Sequence, residues 1–326
     1  MVSEINFKHS SRGSGRPQVV LLGNGLERKS GQVSWDQLVD DLTVEDALPI
    51  TKEQKDNTPF PLLYQLLSTH APASARLNAD DVCEEENRLA DVMKKLTHQS
   101  NAFLDLLPSL DADHIMTTNY SYCIESTFFK NLDFTNPKHR NKVRFRLDGM
   151  DSDKSNHELH YRLRTGYLGK SATRDTGIWH IHGECCVPKG IVLGHDRYGR
   201  LFQRIERICE RQRYSGNSEE VKIKNFTSWP ELFLYADVYI LGLKMYECEF
   251  DLWWLLRRKQ RERYSDGRVY FYEMRPKGDY NEIRHLLLKA NGVILCDAGV
   301  AERENYDLFY EAALADIKNR IESSRK

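Results

Sequence analysis

The chain has 326 residues, with 40% hydrophobic and 29% charged side chains, which is the composition of a folded globular protein and excludes a disordered one. Its 47 Lys and Arg nearly cancel its 48 Asp and Glu, leaving a formal charge of −1, so nucleic acid could be bound only through a local basic patch or a partner, not by bulk charge. No apolar run reaches the roughly 18 residues that a bilayer span needs, and no membrane association is expected.

Residues 1–17 have no apolar core of a secretory signal and read as a mobile arm. Val19–Gly25 (VVLLGNG) is an apolar run ending in a glycine-flanked turn, as for a buried strand entering a loop. Ser34–Leu42 then has an N-cap serine followed by an early acid and predicts a helix. Residues from about 43 to 105 change character, with Pro49, Pro59, Pro61 and Pro72 and two amphipathic stretches at 62–67 and 84–96. They read as a helical insertion into a domain covering 18–326. Strands are predicted at 114–120, 178–182, 191–194, 236–242, 268–273 and 293–297. Helices are predicted at 122–129, 250–263, 281–290 and 302–321. Residues 197–228 read as a charged helix with a loop, and 130–177 as polar and basic with weak periodicity.

Apolar strands alternating with helices indicate an α/β fold, a Rossmann-like parallel sheet with helices on both faces and the smaller helical module inserted. Ligands of such sheets bind at the carboxyl ends of strands, near the switch in strand order. Gly23, Asn24, Gly25, Thr118, Asn119, His182, Gly242, Glu273 and Asp297 each follow an apolar strand, so all are candidates for one crevice.

The individual motifs leave alternatives open. Gly23-Asn24-Gly25 allows close backbone approach to a phosphate, or only a tight turn. The longer Gly-x-Gly-x-x-Gly fingerprint is not completed, because Leu26-Glu27-Arg28 follows, which argues against an ordinary dehydrogenase. Asn119 can cap a helix or hold a water or hydroxyl. His180 and His182, two apart in a strand, should share a face. They could bind a metal with Cys185 and Cys186. However, adjacent cysteines rarely chelate one ion together and no second ligand pair has zinc spacing, so no metal is expected. His180 fits a structural histidine bonded to backbone carbonyls, and His182, at the strand end before Gly183, a working base. The seven cysteines are scattered and form no disulfide framework, which fits reduced thiols in the cytoplasm. The basic stretch 138–146 could touch an acidic partner. Those at 197–213 and 257–263 read as solvated helix faces, and Trp253-Trp254 as core or interface.

In order, VLLGNG, MTTNY, WHIHG, PKGIVLG, YILG and FDLWWLL resemble the sirtuin superfamily, in particular bacterial SIR2-like domains, over about residues 18–300. The resemblance implies a Rossmann-like domain that takes NAD+ as substrate and cleaves its nicotinamide–ribose bond. It implies Gly23, Asn24 and Gly25 beside the dinucleotide and Thr118 in the same motif as Asn119. Asn119 would hold water or ribose, and His182 would act as base. Gly242, Glu273 and Asp297 would face the adenosine half. The zinc module of protein-deacylating sirtuins, with its two CxxC pairs, is missing, and Ser121 stands where their motif carries an aspartate. These departures favour the NADases of bacterial anti-phage defence. That class implies an NAD-depleting effector in abortive infection, a homo-oligomer, and a partner such as an ATPase or an Argonaute-like protein. An NAD-dependent deacylase or ADP-ribosyltransferase, or a non-catalytic nucleotide-binding subunit, are the competing expectations.

Overall fold

The computed structural model describes residues 15–32, 34–45, 47–68, 87–147, 163–213, 226–261, 267–274, 283–300 and 305–326. Most of the expected N-terminal arm lies outside the described residues. So do residues 84–86, 262–263, 281–282 and 302–304 at the ends of expected helices.

Eight strands form one sheet in the order β3-β4-β5-β2-β1-β6-β7-β8. They are β1 Gln18–Leu22, β2 His114–Thr117, β3 Arg144–Arg146, β4 Thr165–Lys170, β5 Asp175–His180, β6 Asp237–Leu241, β7 Val269–Tyr272 and β8 Val293–Cys296. β5, β2, β1, β6, β7 and β8 run parallel, whereas β3 and β4 add an antiparallel edge. The fold is the expected α/β, Rossmann-like arrangement.

The central strand shows why the sheet is covered twice. Val20 and Leu22 enter one hydrophobic core, with the helix Tyr306–Ser323 contributing Phe309, Ala313, Leu314 and Ile317. Val19 and Leu21 enter a second, with Leu201 and Ile205 of the helix His195–Arg213 and Leu252, Leu255 and Leu256 of the helix Phe250–Arg261. A strand buried on both faces needs apolar residues at consecutive positions, which is what QVVLL supplies.

The helix Trp35–Leu42 starts with a capping box in which Ser34 and Gln37 bond each other's backbone. Between it and β2 come the helices Lys52–Asn57 and Phe60–Ser68, a helical segment at 87–93 and a 3₁₀ turn at Leu104–Leu110. Val39, Leu63 and Leu67 form a small satellite core there.

Three local expectations need correction. Residues 191–194 are not a strand; a 3₁₀ turn at Pro188–Gly190 precedes them, and Val192 N–H bonds the His182 carbonyl at 2.8 Å. Within 130–177, the helix Pro137–Val143, β3 and β4 are ordered elements, while 148–162 lie outside the described residues. A helix at Trp229–Tyr235, entirely buried, closes the second core.

β1 is flanked by β2 on one side and β6 on the other, and the chain visits β2 through β5 before returning to β6. The switch in strand order therefore falls at the carboxyl end of β1, where ligands of such sheets bind.

Candidate active site

Two glycine loops fill the space directly between β1 and β6. Gly23 N–H bonds the Leu241 carbonyl at 3.0 Å, and Gly25 N–H the Gly242 carbonyl at 2.9 Å. A Cβ on Gly23 would lie 2.4 Å from the Gly242 oxygen, and Gly242 itself has φ of 71°. These glycines are thus required by loop-to-loop packing, whatever else they do.

The cleft opens on the other side, over β1 and β2. It has about 320 Å3 of unfilled space open to solvent and is lined by Asn24, Glu27, Gln32, Ser34, Leu38, Leu96, Asn119, Tyr120 and Ser121. Thr118 stands under it, buried, with its N–H on the Leu22 carbonyl at 3.2 Å. Asn119 is held twice. Its backbone N–H bonds Thr117 Oγ1 at 3.0 Å, and its side-chain amide donates to the Gly23 carbonyl at 3.1 Å. The first bond turns the chain at the end of β2; the second ties the two loops together. Asn119 does not cap the helix Cys123–Phe128, whose N-cap is Tyr122.

Glu27 was not singled out by the sequence motifs, yet it is buried in this cleft. Ser121 Oγ donates to its Oε2 at 2.5 Å. Burial pushes its carboxyl up to about 7, against the Ser121 hydroxyl, the Asn119 amide and the nearby His180 cation, which favour the charged form.

The two histidines do not share a face. β5 ends at His180, and the chain turns before His182, so the alternation of a strand no longer applies. His180 points into the first core, against Tyr122 and Tyr167. Its Nδ1 is 2.8 Å from the Asn119 carbonyl and its Nε2 is 2.7 Å from Glu125 Oε1. Burial favours the neutral ring, but the Glu125 charge and hydrogen bond, helped by Glu184 and the Asn119 carbonyl, outweigh it and raise the pKa to about 9. His180 is therefore a buried cation that fixes the backbone of Asn119 from behind.

His182 points into the second core, edge-on to Tyr198, with Nε2 at 2.9 Å from Asp251 Oδ2. Burial opposes its charge, while Asp251 and then Glu249 favour it, with a net upward shift. His182 is not part of the lining of the cleft. Gly183 behind it has φ of 97°, and a Cβ there would sit 2.3 Å from the Gly190 oxygen.

The remaining candidates are spread along the sheet. Glu273, after β7, is engaged on both oxygens, by Arg284 and His285 at 2.6 Å each. Asp297, after β8, accepts the Gly299 N–H at 3.0 Å. Asn24 joins Asn119 in the cleft, whereas Glu273 and Asp297 stand two and three strands from β1. Cys185 and Cys186 lie with their sulfurs 3.9 Å apart, and neither faces a histidine ring in a metal-like group. Among the described residues, no group of three or more His, Cys, Asp or Glu converges as an ion cage. Nor is any described helix long and apolar enough to cross a membrane.

A doubly covered parallel sheet with a cleft at its switch point is the architecture of ligand-binding α/β domains. Residues 113–296, more than half of the chain, match the family model described as SIR2-like domain, and the protein belongs to that family. SIR2-like domains use NAD+. A comparison with curated proteins finds no match.

Proposed function

We propose that the protein hydrolyses NAD+ at the nicotinamide–ribose bond, giving nicotinamide and ADP-ribose, with Asn119 and His182 as its catalytic residues. The reading rests on membership of the SIR2-like family together with one observation: Asn119 lines the cleft at the switch point with its side-chain oxygen unpaired among the described residues. Nicotinamide leaves as a neutral molecule from a pyridinium, so C1′ gains positive charge as the bond breaks. That reaction needs an oriented nucleophile and nearby negative or acceptor groups. Gly23, Asn24, Gly25 and Thr118 then border the substrate, and Gly242, Glu273 and Asp297 extend towards the adenosine half. His182, outside the cleft lining, is assigned the role of base for a ribose hydroxyl on the family resemblance alone.

In its setting the protein acts as an NAD-depleting effector of anti-phage defence in the cytoplasm, as a homo-oligomer held in check until a partner such as an ATPase or an Argonaute-like protein signals. The test is nicotinamide release from NAD+ by the whole chain, beside Asn119→Ala and His182→Ala. Loss in both variants supports the assignment. Release that requires an acyl-lysine or another acceptor would make the protein a deacylase or ADP-ribosyltransferase. Bound NAD+ without turnover under any activating condition would make it a binding subunit.

A further inference from the structure

Three buried acceptor oxygens in the cleft have no hydrogen-bond partner among the described residues: Glu27 Oε1, Gln32 Oε1 and Asn119 Oδ1. The orientation of the two amides is fixed. Gln32 Nε2 donates to the Thr97 carbonyl at 2.8 Å, and Asn119 Nδ2 to the Gly23 carbonyl at 3.1 Å. Flipping either amide would set oxygen against oxygen, so the cleft presents acceptors to its contents. Leaving a buried acceptor unpaired costs about 1–3 kcal/mol, and three on residues that line one cleft mark a place built to receive donors such as water and hydroxyls. Of the three, only the carboxyl of Glu27 can take up a whole proton.

We propose that Glu27 is a catalytic residue of this cleft, its unpaired oxygen taking the proton of the attacking water, and that Ser121 is its positioning residue. The inference rests on the NAD+-hydrolysis reading above. As the water oxygen bonds C1′, the bond from C1′ to the pyridinium nitrogen breaks and its electron pair stays on nicotinamide, which departs neutral. The water proton passes to the Glu27 carboxylate and from there to solvent, restoring the base. Gln32 and Asn119 accept hydrogen bonds from the donors of the water and the ribose.

The surroundings of Glu27 match that task. Ser121 and Asn119 act on it from the loop after β2, the His180 cation from β5 favours its ionisation, and Glu125 on the helix behind opposes it. Burial is the largest influence, and the resulting value of about 7 leaves a large fraction of carboxylate at neutral pH. The adjacent Cys123 thiol, pushed up to about 12 by its own burial and by Glu27, does not compete for the proton.

The experiment uses the whole chain and NAD+ itself, comparing wild type, Glu27→Gln and Ser121→Ala for nicotinamide release, NAD+ affinity by calorimetry and thermal unfolding. Glu27→Gln is expected to lower kcat by about 10²- to 10⁴-fold while NAD+ affinity holds within about threefold. The wild-type rate should rise with pH through about 7. That limb should vanish in Glu27→Gln and move to higher pH in Ser121→Ala, because a hydrogen bond to the charged form is lost. A folded Glu27→Gln that keeps the wild-type rate and pH profile overturns the proposal. If wild type releases no nicotinamide, the hydrolysis reading fails, and the carbon-13 carboxyl signal of Glu27 decides separately. A titration displaced by NAD+ supports a substrate-facing carboxyl; an unchanged one overturns it. Should Glu27→Gln not fold, the Ser121→Ala pH shift and the wild-type titration decide in the same way.

Discussion

His182 and Asp251 meet at 2.9 Å with almost no exposure of either side chain, 3% and 0%. The pair joins the loop after β5 to the first turn of the helix Phe250–Arg261, elements 69 residues apart in sequence. Removing one member strands a charge or a polar ring in the second core. Asp251→Ala should therefore cost about 3–5 kcal/mol in urea unfolding, and Asp251→Asn less, because the amide can still bond the ring. A loss below about 1 kcal/mol for the alanine variant would show the pair to be hydrated in solution. Asp251→Asn also tells whether His182 handles protons. A rate that changes its pH dependence while the fold survives assigns His182 a chemical role, not only a structural one.

Gly23 and Gly242 pack backbone to backbone, so a methyl group on Gly23 has nowhere to go. Gly23→Ala should destabilise by about 1–3 kcal/mol through overpacking against the Gly242 loop. Gly199, exposed within the helix His195–Arg213, makes the control, since a Cβ there meets nothing within 4 Å. Gly199→Ala should stabilise by up to about 1 kcal/mol, the ordinary gain of alanine over glycine in a helix. Equal effects in the two variants would mean that the contact between the loops is not formed.

The difference between what the sequence disclosed and what it hid follows the same physics. β1, β2, β5, β6 and β7 were legible because interior parallel strands are apolar on both faces and end in glycine or polar residues; β8, at the parallel edge, was legible from its apolar run VILC. β3 was not, because it is a three-residue edge strand that buries only Phe145, and neither was β4 beside it. In β4, Gly166 and Gly169 weaken the signal further; they are there because Phe145 and Phe128 pack where a Cβ would stand. The helix Trp229–Tyr235 is buried all round and so shows no helical period. In the site, Asn119 was legible from its place after a strand. Glu27 was not, because in sequence it only interrupts a glycine motif. Its burial and its bond to Ser121 exist only once β1 and β2 are side by side. The opposite directions of His180 and His182 were hidden because the turn after His180 breaks the alternation that their spacing suggests.

His180 makes stability depend on pH in a definite direction. Its folded value of about 9 lies above the unfolded value near 6.5, held there against burial by Glu125. The ion pair's contribution is complete below about pH 6.5 and is lost as pH rises through about 9; the difference amounts to about 3 kcal/mol. His180→Gln should remove that alkaline decline. Urea midpoints of wild type and variant at pH 6 and pH 9 test this, and parallel changes in both would assign the decline to other groups.

Glu249 should act in the same direction, over a lower pH range. It is buried beside His182 and Asp251, with Oε2 unpaired among the described residues. Burial raises its carboxyl to about 7, with the His182 charge acting against the rise and Asp251 adding to it. The folded value lies above the unfolded one, so ionising Glu249 costs stability as pH climbs from about 4.5 to 7, by at most about 3 kcal/mol. Glu249→Gln should consequently be more stable than wild type at pH 8, with the advantage shrinking as pH falls from about 7 to about 4.5 and vanishing below that, where the carboxyl is protonated in both states. Denaturant unfolding of the two proteins at these pH values gives the difference directly. An advantage that does not vary with pH would mean that Glu249 is already neutralised by His182 at pH 8, leaving the His182–Asp251–Glu249 group to titrate as one unit.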